Sequence, residues 1–200
     1  MSGNSEKYHR RSIRLKDYDY SQAGGYFITI CTHGWGNLFG NIVKGEMRLN
    51  EYGKIVENEW IKTGKMCLNV LLDEYIIMPN HIHGIIIIID DGRGTLQRAP
   101  TVERFGKPVS NSIPTIVRLF KSTTTKQINQ IRKMPRASVW QRNYYEHVIR
   151  NEDKLNKLRY YIQTNLLKWY LDRENPERVG FYELEEEIFK NVNVYKTNSY

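Results

Sequence analysis

The stretch Tyr75–Ile89, YIIMPNHIHGIIIII, decides how this chain folds. It is an apolar, largely β-branched run interrupted once, at Pro79-Asn80, and such runs favour pleated, half-buried surfaces. Pro-Asn marks a turn, so the stretch predicts two adjacent strands, 68–78 and 81–89. Side chains on a strand alternate between its two faces. His81 and His83 therefore point the same way, with Ile82 opposite. Two imidazoles on one face of a buried strand are costly unless something satisfies their nitrogens. A hydrogen-bonded core pair is the plain solution. A divalent metal is the favoured one, because neutral imidazole is the commonest metal ligand.

Working outward, Gly24-Gly25 breaks into YFITICT (26–32), a strand by composition. Gly34, Gly36 and Gly40 mark turns, and 45–48 suits a short strand or hairpin. Asn50 is placed to cap a helix running to about residue 62, with Ile55, Val56 and Trp60 inward. Residues 90–112 are polar and rich in Gly and Pro, a long loop of the kind that usually carries function. Ser112-Ile113-Pro114 opens a second helix, with Ile116, Val117, Leu119, Phe120 and Ile128 as its apolar positions. Residues 138–149 read as a bent connection and a last strand. Asn151 caps a final long helix, 151–170. The order β-α-β-β-α-β-α predicts an α+β, ferredoxin-like fold, one antiparallel sheet with helices mainly on one face. Three segments follow: a basic arm (1–22), the domain (23–171) and a charged, marginally ordered tail (172–200).

Of the 200 residues, 30 are Lys or Arg and 22 Asp or Glu, a net charge of +8. With 14 Tyr and 4 Trp, this suits nucleic acid, where cations meet phosphates and rings stack on unpaired bases. No apolar stretch of about 18 residues suggests a membrane span. The first residues, MSGNSEKYHRR, lack the apolar core of a secretory signal. Two cysteines, Cys31 and Cys67, do not make a disulfide framework and fit a reducing cytoplasm. On the last helix, Leu155, Leu158, Ile162, Leu166 and Trp169 form one stripe at about 100° per residue. Tyr161 and Asn165, four apart, sit together on its shoulder, where a side chain can enter a cleft between helix and sheet. Tyr160 falls towards solvent.

MPNHIHGI, followed by WQRNYYEHVIRNEDKLNKLRYYIQTN, resembles the single-tyrosine HUH transposases, and more narrowly the REP-associated tyrosine transposases. RRSIRLKDYDYSQAGGYFITICT and LFGNIV…GEMRLNEYGKIVENEW resemble that family's amino-terminal half. The likeness covers most of Arg10 to Trp169. It implies a single-stranded DNA transposase and endonuclease that cuts and rejoins DNA beside a hairpin through a 5′-phosphotyrosine. It places the histidine pair on His81 and His83, the nucleophile on Tyr161 and a third metal ligand on Asn165. One departure is Leu166, where relatives often have Pro. The implied cofactor is a divalent metal, Mg or Mn, with no nucleotide. The implied partner is a single-stranded DNA hairpin with flanking unpaired bases, in the bacterial cytoplasm and away from membrane; some relatives are homodimers. Arg10, Arg11, Arg14, Lys16, Arg142 and Arg150 are candidate phosphate contacts, and His147 is a candidate support behind the ligands. Two other readings stand beside this one. A hairpin binder that no longer cuts would be expected to lose a ligand or the tyrosine, and all are present. Among His-x-His phosphoesterases, the histidine-triad pattern needs a further histidine where this chain has Ile85.

Overall fold

The structure is a computed structural model that describes residues 18–67, 69–90 and 109–189. Arg10, Arg11, Arg14, Lys16, most of the expected arm and most of the 90–112 loop lie outside the described residues.

The chain opens with strand β1 (Gly24–Cys31) and a short 3₁₀ turn (His33–Trp35). The hairpin β2 (Gly40–Val43) and β3 (Glu46–Leu49) leads into helix α1 (Glu51–Met66). Strands β4 (Val70–Ile77) and β5 (His81–Ile88) precede helix α2 (Ile113–Ile131). Strand β6 (Tyr145–Ile149) and helix α3 (Glu152–Asn165) follow, then a 3₁₀ segment (Leu166–Leu171) and helix α4 (Glu183–Phe189). The two expected caps are in place, and Ser112 makes a third at the helix it was expected to open. Asn50 Oδ1 accepts from Gly53 N (3.0 Å), Ser112 Oγ from Thr115 N (3.4 Å) and Asn151 Oδ1 from Lys154 N (2.8 Å). Each satisfies an amide that the first helical turn leaves without a partner.

The main sheet runs β4-β5-β1-β6, with every neighbouring pair antiparallel. This is the expected ferredoxin-like α+β order, with the β2–β3 hairpin inserted before α1. Helices α1 and α2 share one face. There Trp60, Val56, Ile116, Val117 and Phe120 pack on Tyr26, Ile28, Ile30, Ile82 and Ile86. Gly84 makes this possible: a Cβ at residue 84 would lie 2.2 Å from the Trp60 ring. Helix α3 lies on the other face, with Leu158, Tyr161 and Ile162 against Phe27 and Ile85, and Ile188 of α4 joins the same cluster.

Two features differ from the sequence reading. The helix expected over 151–170 is α-helical only to Asn165, and Lys168 leaves helical geometry (φ −112°, ψ 17°) inside the 3₁₀ segment that follows. The chain is therefore free to turn back over the sheet, and Asp172, Glu174, Asn175 and Glu185, in the stretch expected as a tail, are buried. At the other end, Tyr20 is buried, and its carbonyl accepts from Ile113 N (3.1 Å), tying the last residues of the expected arm to the start of α2. No helix among the described residues is long and apolar enough to cross a membrane.

Candidate metal and nucleophile site

Strand register builds the site. Cys31 faces His81 across β1 and β5, and Thr29 faces His83, so both imidazoles project to the α3 face. Their ring centroids are 4.3 Å apart, and both side chains are fully buried. Helix α3 is pinned above them by an irregularity in edge strand β4. The register shifts between Leu72 and Tyr75, and such a bulge re-aims side chains. Asp73 then accepts two hydrogen bonds from Arg159 (2.9 and 2.6 Å), and Glu74 accepts one from Gln163 (3.0 Å). Arg159 and Gln163 flank Tyr161 on α3, so these contacts fix the rotation of the helix. Tyr161 points in, fully buried, and Tyr160 points out, half exposed.

The hydrogen bonds set the protons. Asn80 Nδ2 donates to the carbonyls of Glu174 (2.7 Å) and Trp35 (3.3 Å), which leaves Asn80 Oδ1 to accept from His81 Nδ1–H at 2.8 Å. His81 Nε2 then carries a lone pair. It is buried and has no hydrogen-bond partner among the described residues. His83 Nδ1 is engaged by Thr29 Oγ1 (2.8 Å), so its Nε2 also turns into the site, 3.3 Å from the Tyr161 hydroxyl. Holding Nδ1 on an outer partner and freeing Nε2 is the usual arrangement behind a metal-ligating histidine.

Asn165 lies one turn beyond Tyr161. Its Nδ2 donates to Asp172 Oδ2 (2.7 Å), while its buried Oδ1 has no partner among the described residues. Asp172 Oδ2 is 3.8 Å from His81 Nε2. The imidazole is held neutral, so this contact is not an ion pair. His81, His83 and Asp172 each offer a ligand atom within 4.8 Å of the others. The sequence reading missed Asp172. No local signal marks it, because the α-helix ends at Asn165 and Asp172 itself is extended (φ −60°, ψ 131°), so helical spacing from Tyr161 does not reach it.

The site is acidic and buried. Burial first, and then the repulsion that protonating both rings would create, hold His83 well below the ordinary imidazole value; burial lowers His81 as well, against the pull of Asp172. Glu174 and Glu185 are each pushed up to about 7, by burial and then by Asp172. Burial raises the Tyr161 phenol well above its usual value, and Asp172, Glu185 and Glu174 add to the shift. The phenol donates to Glu185 Oε1 (3.1 Å), which also accepts from Arg173 N (3.0 Å). Tyr182 stacks on Tyr161 with centroids 6.2 Å apart. Two lone pairs without partners, His81 Nε2 and Asn165 Oδ1, thus meet a surplus of buried carboxylate, and the residues fit a divalent cation. Two imidazole nitrogens with one or two oxygens suit manganese and also accept magnesium.

The remaining expected residues stand apart from this cluster. His147 is on the same face but on β6, opposite Phe27. That is two strands from β5, about 10 Å, and one rung from the His83 row. Arg142 and Arg150 are exposed, on either side of β6.

No protein-family model matches the chain. A Haemophilus influenzae protein described as uncharacterized is 41% identical over 175 residues, 85% of this chain and 95% of that protein. Among solved structures, a REP-associated tyrosine transposase bound to a REP hairpin superimposes with a TM-score of 0.52 at 17% identity, over 75% of this chain and 70% of that one. The second likeness is one of fold.

Proposed function

This chain belongs to one protein family with the Haemophilus influenzae relative, and we propose that it is a metal-dependent, single-stranded DNA transposase and endonuclease of the single-tyrosine HUH kind. The observation that carries this reading is the convergence of a same-face histidine pair with a buried helical tyrosine, whose hydroxyl lies 3.3 Å from His83 Nε2. The fold shared with a hairpin-bound REP-associated tyrosine transposase supports it, and so does the basic, aromatic-rich composition.

On this reading Tyr161 Oη attacks a DNA phosphorus. The bond from phosphorus to the 3′ oxygen breaks, that oxygen takes up a proton as a free 3′-hydroxyl, and a 5′-phosphotyrosine holds the other end. Attack by a 3′-hydroxyl reverses the step and reseals the strand, so the bond energy is kept and no nucleotide cofactor is required. The phenolic proton has a placed acceptor in Glu185 Oε1. His81, His83 and Asp172, with Asn165 Oδ1 beside them, would hold a divalent ion, which when bound would supply positive charge for the developing phosphate charge and for the phenolate. Thr29 and Asn80 keep the two imidazoles oriented. Tyr161 lies fully buried beside Tyr182 and Glu185, so a phosphate enters only when the segment carrying these two residues shifts.

The test is a 3′-labelled single-stranded hairpin with unpaired flanks, so that the label stays on the fragment joined to the tyrosine, incubated with the protein and Mn²⁺ and run on a denaturing gel. A slow-migrating covalent band is expected with wild type and is lost in Tyr161→Phe and His81→Ala. Hairpin binding without any covalent band would favour a non-cleaving hairpin binder. Cleavage that persists in Tyr161→Phe would favour a His-x-His phosphoesterase.

A further inference from the structure

Charge is unevenly spread along this chain. Residues 109–145 contain seven Lys or Arg and no Asp or Glu, while 146–189 contain ten acids and seven bases. The uncompensated segment comprises α2 and the connection to β6, and the two enclose an open groove of about 470 Å³. Trp140 and Val139 line part of it, and Lys126 and Arg136 stand exposed along it. Lys121 donates to the carbonyls of Gln141 (2.9 Å) and Asn143 (2.8 Å), which ties the connection to the helix and leaves a cation in the wall. Arg136 holds a left-handed backbone conformation (φ 69°), uncommon for a residue with a side chain.

The groove also has a defined place relative to the histidine pair. Gln141 N donates to Cys31 O (2.9 Å), Trp140 bridges Thr32, and Cys31 faces His81 in register. Gln141 is therefore two strand spacings from His81, about 10 Å, around the end of the sheet. That distance equals about three steps of a stacked strand at 3.4 Å each.

We propose that this groove seats the sugar–phosphate backbone of the unpaired DNA strand flanking the cut, with Lys126 and Arg136 contacting its phosphates a few nucleotides from Tyr161. The inference rests on the single-stranded DNA reading above and adds where the flank is held. Charge complementarity argues for a polyanion. The single-stranded form follows from the reading this inference rests on, which places the cut in an unpaired flank.

The test measures affinity against salt for two oligonucleotides, a hairpin with a single-stranded flank and the same hairpin without it. For single strands each lost phosphate contact lowers the slope of log K against log salt by about 0.7. The double variant Lys126→Gln/Arg136→Gln should flatten the slope for the flanked hairpin by about 1.4, leave the bare hairpin unchanged, and keep the wild-type circular dichroism spectrum. An unchanged slope for the flanked hairpin would overturn the proposal. An equal loss on both oligonucleotides would also overturn it, by assigning the groove to the stem. The covalent band of the wild type is read in parallel. Its presence with an unchanged slope removes this inference alone. Its absence with a flattened slope removes the cleavage reading and leaves the groove as a DNA seat.

Discussion

Asp172→Asn is the substitution that most cleanly separates a metal ligand from a buried structural acid. Asp172 accepts from Asn165 Nδ2 and from Glu174 N, one bond to each carboxylate oxygen. An amide can keep only one of these, and losing a buried bond costs about 1–3 kcal/mol. Against that, removing the charge relieves Glu174, Glu185 and Tyr161, all of which Asp172 pushes up. The metal-free variant should therefore unfold within a few degrees of wild type, and the large change should appear with metal. A ligand at 100 times its dissociation constant stabilises the folded state by about 2.7 kcal/mol. For a chain of this size 1 kcal/mol moves Tm by about 2–4 °C, so Mn²⁺ should raise the wild-type Tm by about 5–11 °C. If losing this carboxylate weakens binding at least tenfold, the same Mn²⁺ concentration leaves at most about 1.4 kcal/mol and a shift of about 3–6 °C. Differential scanning fluorimetry at pH 8 with a Mn²⁺ series reads both. An Asp172→Asn protein that responds to Mn²⁺ like wild type would refute its role as a ligand, and a wild type that does not respond would refute the metal site.

Glu185→Gln should become more stable relative to wild type as pH rises from 5 to 8. The folded value of about 7 lies above the unfolded one near 4.3, so the folded state holds the proton more tightly and wild type loses stability as pH rises through 7, by on the order of 3 kcal/mol for a shift of this size. Urea titrations of both proteins across that range check it, and parallel curves would contradict the buried-acid account. Gly84→Ala should destabilise the fold by about 1–3 kcal/mol, since its methyl must displace the buried Trp60 ring; thermal melts test this, and an unchanged Tm would mean that the sheet yields easily under the ring. Tyr160→Phe should form the covalent band at near wild-type rate, because its side chain faces solvent; a gel time course in which Tyr160→Phe fails while Tyr161→Phe succeeds would put the assignment off by one residue.

The sheet and the heart of the site could be read from particular residues. Period-two alternation placed His81 and His83 on one face, and nothing in the tertiary structure overrides it. Asn50, Ser112 and Asn151 announced three helix starts, because a capping side chain acts within three residues of its own position. The four-residue spacing brought Asn165 under Tyr161. Asp172, Glu174 and Glu185 were not legible for the opposite reason: the histidine and tyrosine side chains they surround lie far away in sequence or beyond a break in the helix. The helix gives way at Leu166, the chain doubles back, and a segment whose composition suits a solvated surface instead closes over the histidines. Acids in a charged stretch carry no local mark of burial. The bulge at Asp73–Glu74 was equally hidden, since only the position of α3 shows why two acids interrupt an edge strand. His147 illustrates the opposite case, a residue whose neighbourhood in sequence looked meaningful and whose place on β6 is two strands from the pair.

The central claim is that Tyr161 is the atom-donating nucleophile, and mapping the covalent product tests it most directly. Wild-type protein is incubated with a flanked hairpin and Mn²⁺, digested with protease and nuclease, and the nucleotide-bearing peptide is sequenced by tandem mass spectrometry. The account predicts a 5′-nucleotide phosphate on Tyr161 and a free 3′-hydroxyl on the released strand. A phosphate on Tyr160 or any other residue, or cut DNA with no protein attached, would contradict it.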